Sequence, residues 1–313
     1  MRFAVMGTGG AGGYFGARLA EAGHDVTFIA RGAHLAAIRK DGLRIESVNG
    51  DVTVNPAKAT DDPTTVGVVD YVLLGVKSWQ VTESARAIES MIGPETAVLP
   101  LQNGVDAADE IGFELGSEHA LGGTAKIISF LVGPGHIKHT GAAPTLEIGE
   151  LDSKPSPRVA ALREAFEGAK GVAVHFPTDI RVAMWTKFLF IASASGVGAV
   201  TRAPIGLVRN TPETRKLVVN AMREIERVAR ARTIKLASEA VNNAMAYYDS
   251  LPFSGTTSMQ RDIAEGRPSE LESLSGAVAR LGVALGIATP THTFIYHVLV
   301  LQERLARERA AAR

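Results

Sequence analysis

The sequence predicts an α/β protein that begins with a doubly wound parallel sheet and ends with an all-helical domain. Three observations predict this fold: a glycine-rich loop directly after a short apolar run, an alternation of apolar runs with helical stretches up to about residue 178, and the loss of strand signal from Asp179 onward. The chain has 313 residues, about twice the usual size of one domain. We therefore expect two domains, residues 1–178 and residues 179–313.

The first part of the chain contains short apolar and β-branched runs that are typical of strands. The candidate strands are Arg2–Met6, Asp25–Ala30, Tyr71–Val76, Ala97–Leu101, Thr145–Gly149 and Val172–Phe176. A different pattern occupies Gly42–Val54, where two short strands flank Asn49-Gly50, a dipeptide suited to a tight hairpin turn. The segments Tyr14–Ala22 and Arg158–Ala169 have helical spacing, so we expect helices to cover the sheet.

From Asp179 onward, amphipathic segments separated by Pro and Gly follow one another without a strand-like run. The candidate helices lie near Ile180–Thr201, Pro212–Arg232, Ser238–Ser250, Thr256–Glu265, Ser269–Leu285 and Thr291–Arg309. The second domain is therefore predicted to be all helical.

Composition and patterning exclude several classes of function. The 33 Lys and Arg residues balance 33 Asp and Glu residues, so no net charge favours nucleic acid or an anionic membrane. The chain has no cysteine, which excludes disulfide scaffolds, thiolate metal sites and cysteine nucleophiles. The N-terminus lacks the apolar core of a secretory signal, and the apolar stretch Phe188–Val200 is shorter than the roughly 20 residues that span a bilayer. We expect a cytoplasmic protein without nucleic-acid or membrane partners.

The histidines do not have the spacing of metal ligands. His136 and His139 are three residues apart in a segment with strand character, which places them on opposite faces. No metal site is predicted.

The glycine-rich loop predicts a dinucleotide site. Gly7, Thr8, Gly9, Gly10, Ala11 and Gly12 fit the pattern G-x-G-x-x-G, between a first strand and a helical segment that leads to a second strand. In a Rossmann-type fold the first glycine allows a tight turn, the second lets the backbone approach a pyrophosphate, and the third lets helix and strand pack closely. An ordinary glycine-rich turn is the alternative, but the complete βαβ context favours the dinucleotide site.

The end of the second strand favours NADP(H) over NAD(H). A site for NAD usually has Asp or Glu there, to accept hydrogen bonds from the ribose 2′-hydroxyl. Here the strand ends with Ala30-Arg31, and a guanidinium can bind a 2′-phosphate through charge-assisted hydrogen bonds. A solvated arginine at a strand end is the alternative.

Over nearly its whole length the chain resembles the ketopantoate reductase (2-dehydropantoate 2-reductase) family. The residues that carry the resemblance are the glycine loop with Arg31, Gly75–Gln80 after a strand, Leu101–Gly104, Trp185-Thr186-Lys187, and Thr257–Asp262 followed by Glu270. The resemblance implies reduction of a 2-oxo acid to a 2-hydroxy acid by NADPH, most directly of ketopantoate to pantoate in pantothenate and coenzyme A biosynthesis.

By matched position, Lys187 is the general acid that protonates the ketone oxygen, and Glu270 is the acid that pairs with it or with a substrate hydroxyl, beside the cofactor. Flanking aromatic residues can desolvate Lys187, and its cation stabilises a developing alkoxide. The alternatives are a snorkelling lysine at a domain boundary and an ordinary acid in a first helical turn, where Glu272 is equally placed.

The same resemblance assigns further contacts. It implies that Ser258 binds the substrate carboxylate, that Asn103 contacts cofactor and substrate, and that Lys77 binds the cofactor. Ser195 is a further candidate for substrate binding. A helix-start serine is also an ordinary cap, and Asn103 or Lys77 could be a plain turn residue.

Three positions depart from the family pattern. Ile191 and Ser195, four and eight residues after Lys187, stand where the family typically has asparagines. The stretch before Ser258 also lacks the family's usual asparagine and has Gly255 and Thr256 instead. Lost polar partners change substrate discrimination. A related reductase of a different, more apolar 2-oxo acid is therefore one alternative, and another two-domain NAD(P)-dependent dehydrogenase is a second.

A non-catalytic NADPH-sensing protein is the alternative from another class, with the helical domain serving as a partner surface. The apolar helix segment Ile295–Leu301 can bury surface against a second copy, so a homodimer is also predicted.

Overall fold

A five-stranded parallel sheet forms the centre of the first half of the chain in the computed structural model, which describes residues 1–312. The strands are, in chain order, β1 Arg2–Met6, β2 Asp25–Ile29, β3 Leu43–Ser47, β4 Val52–Val54, β5 Lys58–Thr60, β6 Tyr71–Leu74, β7 Ala97–Pro100, β8 Gly122–Lys126, β9 Ser129–Gly133, β10 His136–His139, β11 Thr145–Gly149 and β12 Ala173–His175. The central sheet has the order β5-β2-β1-β6-β7, and every neighbouring pair is parallel.

The helices surround this sheet and continue alone after it. The α-helices are α1 Gly10–Glu21, α2 Gly32–Asp41, α3 Val81–Ala87, α4 Ala107–Leu115, α5 Pro157–Glu167, α6 Ile180–Thr201, α7 Ile205–Asn210, α8 Pro212–Ala231, α9 Ala240–Ser250, α10 Ser258–Ala264, α11 Ala277–Leu285 and α12 Pro290–Ala311. Short 3-10 turns span Pro63–Thr65, Ser78–Gln80, Glu89–Met91 and Ser117–His119, and a π-helical turn spans Glu272–Gly276.

The described residues divide into two units. The N-terminal unit comprises Met1–Gln102 and Asp106–Ala183, and the C-terminal unit comprises Asn103–Val105 and the chain from Met184 onward. The short segment Asn103–Val105 therefore belongs with residues that lie far later in the sequence. The roles predicted for residues 1–178 and 179–313 stay predictions.

The strand order places one edge of the central sheet where a ligand is expected. The chain runs outward from β1 to β2 and β5, then crosses to β6 and β7 on the other side of β1. The carboxyl ends of β1 and β6 therefore meet where the strand order reverses, the place at which such sheets bind ligands. The doubly wound α/β fold predicted from the sequence is confirmed.

Both faces of β1 are buried, as expected for a central parallel strand. Phe3 and Val5 pack into one apolar cluster, which includes residues of α1 and α5, whereas Ala4 and Met6 pack into a second cluster. The two clusters cover the two faces of the sheet and fix the strand register.

The remaining strands form two smaller sheets, so the prediction that Thr145–Gly149 and Val172–Phe176 continue one parallel sheet was wrong. Strand β11 pairs with β12 and, antiparallel, with β8. The predicted hairpin at Gly42–Val54 is present as antiparallel β3 and β4, with Gly50 at φ +100°, and β10 pairs with β3 to extend it. Pairing partners far away in the chain decide which sheet a strand joins.

All secondary-structure elements in the described part of the C-terminal unit are helical, as predicted. The sequence missed α7, because six residues are too few for a clear helical period. The predicted helix Ser269–Leu285 is instead a π-helical turn at Glu272–Gly276 followed by α11, which ends at Gly286 with φ +67°. Such π-helical turns occur frequently at functional sites.

Within residues 1–312, one helix, α6, is long and apolar enough to cross a membrane by length and composition. The buried core helices of soluble proteins pass the same test, and 67% of the most apolar window of α6 is buried inside the protein.

Candidate active site

The glycine-rich loop has the conformation that its glycines permit. Gly7 lies at φ +93°, and a Cβ there would stand 2.7 Å from the backbone nitrogen of Val76. A Cβ on Gly12 would collide with the carbonyl oxygen of Gly7. A Cβ on Gly9 would meet no atom within 4 Å. The loop is therefore closed towards the protein and open at Gly9, which fits the approach of a pyrophosphate to the backbone.

The start of α1 adds an electrostatic reason for anion binding. Gly9 is the N-cap residue of α1 and supplies no capping side chain. The first N–H groups of a helix lack intrahelical acceptors, and the helix dipole makes this end partly positive. Gly10 and Ala11 begin the helix, so their N–H groups are suited to binding phosphate oxygens.

Two cationic side chains follow the strands that flank β1 on either side. Arg31, at the N-terminus of α2, comes after β2, and Lys77 comes after β6. Both residues are exposed. The ammonium group of Lys77 lies 5.8 Å from the ring centroid of Trp79, and its backbone N–H donates to Oε1 of Gln80. The arrangement offers positive charge on both sides of the glycine loop.

In the C-terminal unit, two predicted site residues that are far apart in sequence form a direct hydrogen bond. The side-chain amide of Asn103 donates to Oε2 of Glu270 at 2.9 Å. Glu270 is only 7% exposed, and its backbone carbonyl accepts hydrogen bonds from Leu274 N–H and the Ser273 hydroxyl. The carboxylate of Glu270 is thus held in a defined orientation.

A buried network holds the residue before Glu270. Both carboxylate oxygens of Glu303 accept from the Ser269 N–H, at 3.1 and 3.0 Å, and Oε2 also accepts from the Ser269 hydroxyl at 2.6 Å. Arg307 forms an ion pair with Glu303 at 2.7 Å. Glu303 is 2% exposed. It fixes the backbone from which the Glu270 side chain projects.

Lys187 lies half-buried on α6, next to buried aromatic residues. The rings of Trp185 and Phe188 pack edge to face, with 5.6 Å between their centroids. Ser195, two turns later, is fully buried, and its hydroxyl has no hydrogen-bond partner within the described structure. Ile191 is half-buried between them in sequence. After Lys187, α6 continues as a mostly apolar and largely buried stretch without a further charged residue.

Ser258 is the first residue of α10 but does not cap it. Thr257 is the N-cap residue, and its hydroxyl accepts from the Gln260 N–H at 3.3 Å. The alternative that Ser258 is an ordinary helix cap is therefore wrong, since its neighbour performs that role. Ser258 is half-buried.

Sequence reasoning missed the residues that support these groups. Glu303 is an acid on the buried face of α12, and an acid on an apolar stripe is the signal that could have identified it. Gln102 donates through Nε2 to the carbonyls of Leu74 and Val76, at 2.8 and 2.9 Å. It thereby holds the segment after β6 that packs against Gly7.

No group of three or more His, Asp or Glu side chains in residues 1–312 is arranged to hold a metal ion.

Comparison with protein families matches both halves of the chain. Residues 3–153 match the family described as "Ketopantoate reductase PanE/ApbA", and residues 179–303 match "Ketopantoate reductase PanE/ApbA C terminal". A 2-dehydropantoate 2-reductase of Mesorhizobium japonicum is 29% identical over 330 aligned positions, covering 99% of each chain.

Two solved structures have the same fold. A PanE/ApbA family ketopantoate reductase from Ralstonia eutropha JMP134 superimposes with a TM-score of 0.89 at 32% identity, over 98% of this chain and 100% of that one. A D-mandelate dehydrogenase in a ternary structure with NADH and anilino(oxo)acetate gives a TM-score of 0.87 at 25% identity, over 98% and 100% of the two chains.

Proposed function

Because this chain belongs to the ketopantoate reductase family, we propose that it reduces a 2-oxo acid to a 2-hydroxy acid with NADPH. The first candidate substrate is 2-dehydropantoate, which would place the enzyme in pantothenate and coenzyme A biosynthesis. The observation that carries the proposal is the hydrogen bond between Asn103 and Glu270, because it unites two of the motifs on which the resemblance rests.

NADPH would supply the hydride when bound. In this proposal the N–H groups of Gly10 and Ala11, at the N-terminus of α1, bind the pyrophosphate close to Gly9. Arg31 binds the 2′-phosphate, and Lys77 contributes a further positive charge. The open space above Gly9 supports this assignment. The N-terminal unit is then the cofactor-binding domain.

The C-terminal unit would supply the proton and the substrate contacts. Lys187 donates a proton to the ketone oxygen as the hydride adds to its carbon, so that a C=O group becomes CH–OH. Its ammonium group also stabilises the negative charge that develops on that oxygen. Glu270, oriented by Asn103, accepts a hydrogen bond from the lysine or from a substrate hydroxyl. Ser258 binds the carboxylate of the substrate.

A second candidate substrate is a more apolar 2-oxo acid. Ile191 cannot form a hydrogen bond, and the fully buried Ser195 is a short donor on the same helix as Lys187. A site that has lost polar partners discriminates less in favour of a hydroxylated substrate. The similarity to D-mandelate dehydrogenase supports this second candidate, since the ligand in that structure, anilino(oxo)acetate, carries an aromatic group.

Steady-state reduction tests both candidates, followed by the absorbance of the reduced nicotinamide. Wild-type enzyme is assayed with 2-dehydropantoate and with a panel of aryl and alkyl 2-oxo acids. Lys187→Ala should lower kcat by about 10²- to 10⁴-fold, the effect of losing a general acid, whereas the control Lys216→Ala, an exposed lysine on α8, should not. If the protein binds NADPH but reduces no 2-oxo acid, the proposed reductase activity is refuted and the NADPH-sensing alternative is left.

Cofactor choice is tested separately. Arg31→Ala should weaken NADPH binding by about 10- to 100-fold, the worth of charge-assisted hydrogen bonds, and leave NADH binding unchanged. Arg44→Ala is the matched control, since Arg44 is exposed on β3 of the same unit. Equal weakening of both nucleotides by Arg31→Ala would contradict the assignment.

The homodimer and the cytoplasmic location predicted from the sequence also belong to this proposal. In the predicted dimer segment Ile295–Leu301, Ile295 and Leu299 are buried within the unit, whereas Val298 and Leu301 are exposed. The exposed pair is the part that a second copy would cover. We propose a cytoplasmic enzyme, in keeping with the composition.

A further inference from the structure

His34 joins the glycine loop to a hairpin that lies about a hundred residues later. The side chain is half-buried in the first turn of α2. Its Nε2 lies 2.8 Å from the carbonyl oxygen of Thr8, inside the glycine loop. The backbone N–H of Gly135, in the turn between β9 and β10, donates to its Nδ1 at 2.9 Å.

The two contacts determine the tautomer of the imidazole. A backbone N–H can only donate, so Nδ1 must be the acceptor and carries no proton. The proton therefore lies on Nε2, which donates to the Thr8 carbonyl. Neutral His34 satisfies both neighbours, and no other tautomer does.

All three polar groups of Thr8 form hydrogen bonds within the protein. Its N–H and its hydroxyl both donate to the carbonyl of Ile29, at 3.2 and 2.9 Å, while its own carbonyl accepts from His34. Thr8 is 3% exposed. With all three polar groups of Thr8 bound inward, the following residue, Gly9, is presented outward.

The hairpin that anchors His34 also packs on the loop. A Cβ on Gly10 would stand 2.6 Å from the Ser129 carbonyl oxygen at the start of β9, and one on Gly13 would collide with the Ile137 side chain on β10. The glycine loop is thus confined between the central sheet and the hairpin, with His34 as the hydrogen-bonded link.

We propose that His34 is a positioning residue for the cofactor: its Nε2–H holds the Thr8 carbonyl so that the N–H groups after it converge on the pyrophosphate. The inference rests on the proposed function, because it assigns His34 to the same nucleotide site. His34 does not contact the 2′-phosphate in this assignment, so it acts equally on NADPH and NADH.

Two substitutions separate the two hydrogen bonds of His34. In His34→Gln the side-chain nitrogen reaches the position of Nε2 and keeps the donor to Thr8. In His34→Asn the side-chain oxygen takes the position of Nδ1, keeps the acceptor for Gly135 and loses the donor to Thr8. The control is His24→Asn, since His24 contacts the Ala165 carbonyl away from the loop.

The measurements are the Kd values of NADPH and NADH, by calorimetric titration of the full chain, and the Tm of each variant. His34→Asn should weaken both nucleotides by the same factor, about 5- to 10-fold for one lost hydrogen bond, while His34→Gln and His24→Asn stay close to wild type. The proposal is overturned if both His34 variants bind the nucleotides more weakly, or if His34→Asn binds them as tightly as wild type. It is also overturned if the loss of affinity follows the loss of Tm and not the loss of the donor to Thr8. If wild type binds neither nucleotide, the proposed function itself fails, and this inference with it.

Discussion

Protonation of His292 should destabilise the C-terminal unit at acidic pH. The ring is completely buried: its Nε2 donates to the Ala221 carbonyl at 3.2 Å, and its Nδ1 accepts from the Ser275 hydroxyl at 3.3 Å. Burial lowers the pKa of His292 from 6.5 to about 4, because the protonated ring is poorly solvated there, although the bond to Ala221 acts in the opposite direction. The carboxylate of Glu224 accepts from the backbone N–H of His292, not from its ring, and burial is the largest influence on the pKa of His292.

The sign and size follow from linkage. Between pH 6.5 and pH 4 the unfolded chain binds a proton at this histidine and the folded chain does not, so stability falls as pH is lowered. Each pKa unit corresponds to about 1.4 kcal/mol. Going from pH 7 to pH 5 should therefore cost about 2 kcal/mol of the free energy of unfolding, and the loss should level off below pH 4.

Tryptophan fluorescence can report on the unfolding of the C-terminal unit, because the chain has two tryptophans and only Trp185 lies in that unit. In a Trp79→Phe background, urea unfolding followed by Trp185 fluorescence reports on that unit. His292→Gln removes the titrating ring, so its unfolding free energy should be lower than that of the parent at pH 7 and should fall less towards pH 5. A parent-minus-variant difference that stays constant from pH 7 to pH 5 would refute a buried neutral His292.

Three further substitutions test the same unit. Glu303→Gln should lower the free energy of unfolding by about 2–4 kcal/mol, since Ser269 loses a charged acceptor in a buried site. It should also slow turnover, because Glu270 follows Ser269 in the chain. A free energy of unfolding in urea equal to that of the parent would contradict this prediction. Thr233→Gly should raise Tm, because a β-branched residue at φ +62° is strained by about 1 kcal/mol. Gly286→Ala should lower Tm, because it places a side chain at φ +67°. Tm shifts of the same sign in both variants would show that backbone strain is not the cause.

Local patterns were sufficient for four of the five strands of the central sheet and for most helices in residues 1–312. The glycine loop, its strand and its helix lie within one short segment, although the atoms that a Cβ on Gly7 would meet belong to Gly75 and Val76, after β6. The bounds of α6 agree with the predicted helix residue for residue, because a long apolar segment with clear breaks at both ends leaves few alternatives.

The same reasoning failed where a residue's role depends on a distant partner. The strands β11 and β12 have the composition of central-sheet strands, yet they pair with each other and with β8. The helix expected from Ser269 onward begins instead with a π-helical turn, next to the buried acid Glu303. The hydrogen bond from Ser269 to Glu303 joins residues 34 positions apart, which the local helical period cannot show.

The sequence by itself thus determined the α/β class, the glycine loop after the first strand and the family of the protein, because these depend on residue types and spacings along the chain. Only the tertiary structure decided that Asn103 binds Glu270 across 167 positions and that His34 binds Thr8 and Gly135. Hydrogen bonds of this kind form only when packing of the apolar core has brought distant segments together, and no local pattern encodes that meeting.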